Sequence, residues 1–250
     1  MENIITSTKN DLVLSTLKIK NNPEDKLFLE GIKLLEEAVK TNHIVDYLLV
    51  EKSYYEALVN NYPWVKNYTI YLVSNNVIEK LCDTKTPQGL VSVINFSTQN
   101  KYSGGYFVVL DGLQDPGNLG TIIRSSCGTS FNNIMLIESV NAYSQKVVRS
   151  SMGGIFKTNI ITFASRENFL DYAKKNNLLF YSATMEGKSV FDFQKPKKDF
   201  GIVIGNEGNG VSSLLKSSSV GLLSIPMKNN LESLNAAVSA SIMMYVLDNK

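Results

Sequence analysis

Histidine is almost missing from this chain. Of its 250 residues only His43 is a histidine, which removes Ser–His triads, paired-histidine metal sites and most histidine general-base mechanisms. Standing just after an amphipathic helical stretch, it reads as a surface or helix-end residue. Cysteine is nearly as scarce. Cys82 and Cys127 lie far apart with no CxxC spacing, so neither a disulfide framework nor a zinc site is expected, and a reducing cytoplasm is. No apolar run is long enough to span a bilayer, and residues 1–10 lack a basic segment followed by an apolar core, so neither export nor anchoring is expected. Arginine is rare too: among 25 basic residues only Arg124, Arg149 and Arg166 are arginine. A chain that takes lysine wherever a plain positive charge suffices keeps arginine where a planar fork of donors is needed, as for a phosphate or a developing oxyanion.

What is present is an ordinary globular composition, 44% hydrophobic and 19% charged, enough for one large or two modest domains. The formal net charge of +2 neither demands nor excludes nucleic acid, because a basic face can hide in a nearly neutral total. Residues 1–97 read as a small alternating α/β domain. Helices are predicted at 30–40, 53–60 and 75–81, the last with Ser74 as N-cap, and strands at 44–50, 68–73 and 89–95. The lysine-bearing stretch 18–26 and the polar loop 83–89 are either phosphate contacts or solvated surface. Residues 98–105, rich in Ser, Gly and Asn, read as a linker.

From 106 to 250 the alternation resumes. Strands are predicted at 106–110, 133–137, 159–163, 178–183, 200–204 and 220–225, and helices at 119–130, 144–152, 166–176, 211–216 and 234–248. Strands alternating with helices give a mostly parallel sheet covered on both faces. Ligands of such sheets sit beyond the carboxyl ends of the strands, and three strand-ending loops there are unusual. The first, Asp111 to Arg124, has turn chemistry from Pro116, Gly117 and Gly120 and polar groups from Asp111, Asp115 and Asn118. Its Arg124 either pairs with Asp111 or Asp115 to pin the loop, or stays available for a phosphate or oxyanion. The second loop, Gly205-Asn-Glu-Gly-Asn-Gly210, is not a dinucleotide fingerprint, because Glu207 interrupts the glycines. It is either a tight turn or a place where a flat ligand lies against backbone. In the third, Ser233 stands at the N-cap position, placing Asn235 in the first turn of a helix rich in Ala and Ser.

Taken in order, Asp115-Pro-Gly-Asn-Leu-Gly-Thr-Ile-Ile-Arg124, Ile204-Gly-Asn-Glu-Gly-Asn-Gly210, and Ile225-Pro-Met with Ser233-Leu-Asn235 resemble the motifs of SpoU-type RNA 2′-O-ribose methyltransferases of the SPOUT superfamily. Lys146 to Phe156 is a further similar segment, and Phe28 to Lys33 with Asp83 to Gly89 are similar to the RNA substrate-binding domain that many members carry. The resemblance implies an α/β domain tied in a trefoil knot over 106–250, S-adenosylmethionine as methyl donor without a metal, and a homodimer whose interface borders the site. It implies a ribosomal RNA substrate, with transfer RNA as the alternative; a non-catalytic RNA-binding protein that keeps the fold is the reading from another class. The catalytic group it implies is Arg124, Asn118, Glu207, Ser233 and Asn235. The cofactor group is Thr184, Gly205, Glu207, Gly210, Ile225, Met227 and Leu234. The chain departs from the family pattern after Arg124, where Ser125 to Ser130 replaces a more alanine-rich helix, and again at Ala236-Ala-Val.

Overall fold

The computed structural model describes residues 4–98, 100–229 and 231–249; the expected linker includes Gln99, which lies outside the described residues. By packing, the chain divides into two units, Met1–Thr98 with Tyr143–Arg149, and Gln99–Ala142 with Ser150–Lys250.

The first unit runs α1 (Asp11–Asn21), β1 (Lys26–Glu30), α2 (Ile32–Lys40), β2 (Val45–Glu51), α3 (Lys52–Asn61), β3 (Ile70–Val73), α4 (Asn75–Leu81) and β4 (Leu90–Asn95). Its sheet has the order β1-β4-β2-β3, with β4 antiparallel to both neighbours and only β2 and β3 parallel. Side chains along β2 alternate between two cores, as the pleat requires. Tyr47 and Leu49 join Val13 of α1 and Val77, Ile78 and Leu81 of α4, whereas Leu48 and Val50 join Ile32 and Leu35 of α2 and Leu58 of α3. Burial of each such Leu, Ile or Val side chain contributes roughly 1.5–3 kcal/mol relative to exposure. α1 and β1 went unpredicted, because the lysines at 18, 20 and 26 read as a charge run and obscure the apolar residues between them.

The second unit runs β5 (Phe107–Asp111), α5 (Pro116–Ser126), β6 (Asn133–Ile137), α6 (Gln145–Ser150), β7 (Asn159–Phe163), α7 (Arg166–Lys175), β8 (Leu179–Ser189), β9 (Phe200–Gly205), α8 (Ser213–Ser218), β10 (Gly221–Ser224) and α9 (Ala236–Asp248). Along this stretch of chain, α6 as far as Arg149 is part of the first unit, within which Arg149 pairs with Glu30 at 3.2 Å. The six strands form one sheet in the order β10-β8-β9-β5-β6-β7 with every pair parallel, so the expected α/β class and parallel sheet are observed. β5, β6 and β9 are buried on both faces. Phe107, Val109 and Val203 pack with Phe169 of α7 and Leu215 of α8, while the alternate residues face the side covered by α5 and α9. Among the described residues no helix is long and apolar enough to cross a membrane.

Candidate active site

The first loop is shaped by its own sequence. Asp115, in extended conformation, accepts from Asn118 N at 2.7 Å and caps α5, and Pro116 takes the first helical position, where a missing N–H costs nothing. The helix therefore begins at Pro116 rather than 119, which sets Arg124 in its last turn. Asp111 is not a ligand group. It is 1% exposed, accepts from Ser212 N at 2.8 Å and pairs with Arg166 Nε at 2.7 Å. With Asp115 capping and Asp111 taken by Arg166, the pinning role considered for Arg124 is overturned: Arg124 is exposed and makes no hydrogen bond or ion pair among the described residues. Of three arginines, two sit in ion pairs and this one does not.

The second loop closes on itself. Asn206 and Gly210 exchange backbone hydrogen bonds, N to O, at 3.1 and 2.9 Å. Asn206 Oδ1 accepts from Gly208 N at 2.9 Å and Asn209 N at 3.2 Å, while its Nδ2 donates to Gly112 O at 2.8 Å. Glycine is required at both ends. A Cβ on Gly205 would stand 2.0 Å from the backbone carbon of Gly210, and Gly210 holds φ +65°. Asn206 was missed as a site residue; an asparagine inside a glycine-rich turn, able to mimic a backbone turn with its side chain, is the signal that could have found it.

In the third loop the expected cap is displaced by two residues. Asn235, not Ser233, is the N-cap of α9, with Oδ1 accepting from Ala237 N at 2.9 Å and Val238 N at 3.3 Å. Ser233 stays exposed in the preceding loop. The Asn235 amide serves two purposes at once. While Oδ1 caps the helix, Nδ2 donates to Asn118 Oδ1 at 2.9 Å, and Asn118 Nδ2 donates in turn to Glu207 Oε1 at 3.0 Å. Each amide is thus oriented by its neighbours, and the three loops are stitched together by one hydrogen-bonded chain. Burial acts to raise the Glu207 carboxyl, but the bonds from Asn118 and from the backbone N–H groups of Glu207, Asp115 and Gln114 outweigh it and hold the pKa below the ordinary value. Glu207 is accordingly a carboxylate at neutral pH.

Between β8, the glycine turn and the start of α9 lies a cavity of about 460 Å³. Thr184, Gly205, Glu207 and Gly210 line it, as do Ile225, Met227, Ser233 and Leu234. The structure thus brings all seven expected cofactor residues to one cavity, with Ser233, and joins Asn118 and Asn235 to it through Glu207; Arg124 stands outside that lining. Ser239 and Met243 of α9 also line it and were not anticipated. Two observations suit a ligand with both polar and apolar parts. Thr184 Oγ1 is buried without a hydrogen-bond partner among the described residues, and a Cβ built on Gly210 would meet only open space. Among the described residues no three His, Cys, Asp or Glu side chains cluster as a metal site would need.

Comparison with known proteins places these features in a wider group. Residues 105–245 match the family model of the SpoU rRNA methylase family, and residues 17–92 match the MRM3-like substrate binding domain. A Bacillus subtilis protein named 23S rRNA (guanosine(2553)-2'-O)-methyltransferase RlmP is 27% identical over 97% of this chain and 98% of its own length. Two solved structures share the fold. An AdoMet-bound rRNA methyltransferase from Sinorhizobium meliloti superposes with a TM-score of 0.81 at 23% identity, over 99% of this chain and 97% of that one. The SpoU methyltransferase AviRb from Streptomyces viridochromogenes, in complex with AdoMet, superposes with a TM-score of 0.80 at 20% identity, over 96% and 98%.

Proposed function

Because the chain belongs to the SpoU rRNA methylase family, we propose that it transfers a methyl group from S-adenosylmethionine to a ribose 2′-hydroxyl of structured RNA, with ribosomal RNA as substrate and the first unit as the RNA-binding part. The observation that carries this reading is the cavity beside the Asn235–Asn118–Glu207 chain, whose lining includes an orphaned buried hydroxyl at Thr184 and a glycine backbone open to close approach. A trefoil-knotted path, a homodimer and a cytoplasmic location belong to the same reading.

Bound there, the donor supplies an electrophilic methyl carbon whose bond to sulfur breaks, the electron pair leaving on sulfur, as the new C–O bond forms. The protein has to hold the ribose oxygen in line and help its proton leave. Gly205 and Gly210 offer backbone, Thr184 offers Oγ1, and Ile225, Met227 and Leu234 exclude water. Arg124, with no partner of its own, keeps its guanidinium for the RNA, orienting the ribose or its phosphate and stabilising the alkoxide as charge develops. A guanidinium carries donors and no acceptor, so the proton goes elsewhere. Glu207, already ionised, or an RNA phosphate passes it to water.

The test is transfer of labelled methyl from S-adenosylmethionine to total RNA lacking the modification, with wild type and Arg124→Ala compared and products sorted by RNA size. Label on a ribose 2′-oxygen of one ribosomal species is expected, reduced on the order of 10²-fold or more in the variant. Because Arg124 makes no internal bond, the variant should melt with wild type. Label in the transfer RNA fraction alone would move the substrate assignment, and no transfer to any RNA by a protein that binds the donor would favour a non-catalytic binder.

A further inference from the structure

Asp111 ends β5 in the interior of the six-stranded sheet, in register with Ile137 on one side and Gly205 on the other. A carboxylate 1% exposed at such a position demands partners, and its two oxygens find them on different elements. Oδ2 accepts from Ser212 N at 2.8 Å, and Ser212 is the N-cap of α8, two residues past the glycine turn. Oδ1 stands 2.7 Å from Arg166 Nε, an ion pair set off the hydrogen-bond axis. Arg166 opens α7 and reaches with Nη1 to Glu138, just past β6. The backbone oxygen of Glu138 accepts from Gln114 Nε2 at 2.9 Å.

The next peptide along from Asp111 is where both site loops meet. Gly112 O accepts from Asn206 Nδ2 of the glycine turn at 2.8 Å and from Gln114 Nε2 of the first loop at 3.1 Å. The backbone next to Asp111 is thus a shared anchor for both loops, although neither Asp111, Arg166, Ser212 nor Glu138 lines the cavity. We propose that Asp111 and Arg166 are a positioning pair for methyl-donor binding: by holding the exit of the glycine turn at Ser212 and the loop after β6 at Glu138, they fix the glycine turn that lines the cavity and the first loop bonded to it at Glu207. The inference rests on the reading of that cavity as the S-adenosylmethionine site.

The experiment is calorimetric titration of the full chain with S-adenosylmethionine, alongside thermal melts, for wild type, Asp111→Asn, Arg166→Gln and the double variant D111N/R166Q. Asp111→Asn leaves Arg166 with Glu138 alone, and Arg166→Gln leaves the buried Asp111 carboxylate with only the Ser212 N–H; each should lose both stability and affinity, the second more. The double variant removes both charges and should regain much of the lost melting temperature, yet bind the donor roughly tenfold or more weakly, because neutral side chains do not restore the spacing. Arg166→Lys keeps the charge without the fork and serves as a second probe should the others not fold; a weaker affinity at a near-normal melting temperature is expected. Affinity that recovers in step with stability, or folded variants that bind as tightly as wild type, would overturn the positioning role alone. Wild type failing to bind the donor would overturn the reading of the cavity and this inference with it.

Discussion

Two loops of this protein are tied down by different chemistry. The loop at 83–89 in the first unit is held by charges: Lys20 meets Asp83 at 2.6 Å, Thr84 donates to Glu30, and Glu30 pairs with Arg149 at 3.2 Å. Within itself the glycine turn at 205–210 in the second unit is held by neutral groups, Asn206 to three backbone partners and the Asn206–Gly210 backbone pair, with charge entering only at its outer contacts through Glu207 and Asp111. Coulomb attraction falls off slowly with distance, whereas a hydrogen bond weakens steeply off axis. A loop held by charges keeps its place while its side chains shift, which suits a surface meeting a large, deformable polymer. A loop held by amides and backbone keeps its distances, which suits in-line transfer of one carbon atom.

The contrast can be broken most severely at Gly205. Gly205→Ala drives a Cβ against the backbone of Gly210, so donor binding should vanish in a titration and stability should fall by about 1–3 kcal/mol in a denaturant melt. Next is Asn206→Ala, which leaves Gly112 O and the turn N–H groups short of a partner; a loss of roughly 1–3 kcal/mol is expected, together with weaker donor binding. Asn206→Asp keeps the acceptor but sets a carboxylate oxygen against Gly112 O, and should cost at least as much as the alanine variant. Asp83→Ala sharpens the other side of the comparison. Lys20 still donates to Leu81 O, so the cost should be about 1 kcal/mol or less, shrink further in high salt, and leave donor affinity untouched.

The smallest effect concerns pH. Because the Glu207 pKa is depressed in the folded protein, its contribution to stability is fully present above the ordinary carboxylate value of about 4.3 and is lost as pH falls through the lower folded value. Wild type and Glu207→Gln should therefore follow parallel stability profiles from about pH 6 to 9 and converge or cross only in acid. A divergence at neutral pH would mean that the carboxyl titrates higher than its hydrogen bonds imply.

Much of the architecture was legible because it is written in local pattern. Strands 133–137 and 159–163 and helix 75–81 fall where alternation and apolar runs place them, and the three loops were recognisable from residue types suited to turns and caps. What escaped depends on partners remote in sequence. No periodicity reveals that β4 runs antiparallel to β1 and β2, or that Asp111 belongs to Arg166 rather than to a ligand. Asn235, the cap in place of Ser233, also donates to Asn118, more than a hundred residues away, a partner that no local pattern reveals. The role of Asn206 depends on its carbonyl partner at Gly112, on a different loop.

The strand order carries a consequence for how the protein is made. β5 is the first strand of its sheet to leave the ribosome, yet its neighbour β9 follows only after an interval of 94 residues, measured between Gly112 and Asn206. At a synthesis rate of roughly 5–20 residues per second, the strand waits several seconds before that edge is covered. In the first unit the corresponding wait, from Lys26 of β1 to Asn95 of β4, is shorter but of the same order. Pairing across so long an interval makes closure of the six-stranded sheet a late step in the maturation of the chain.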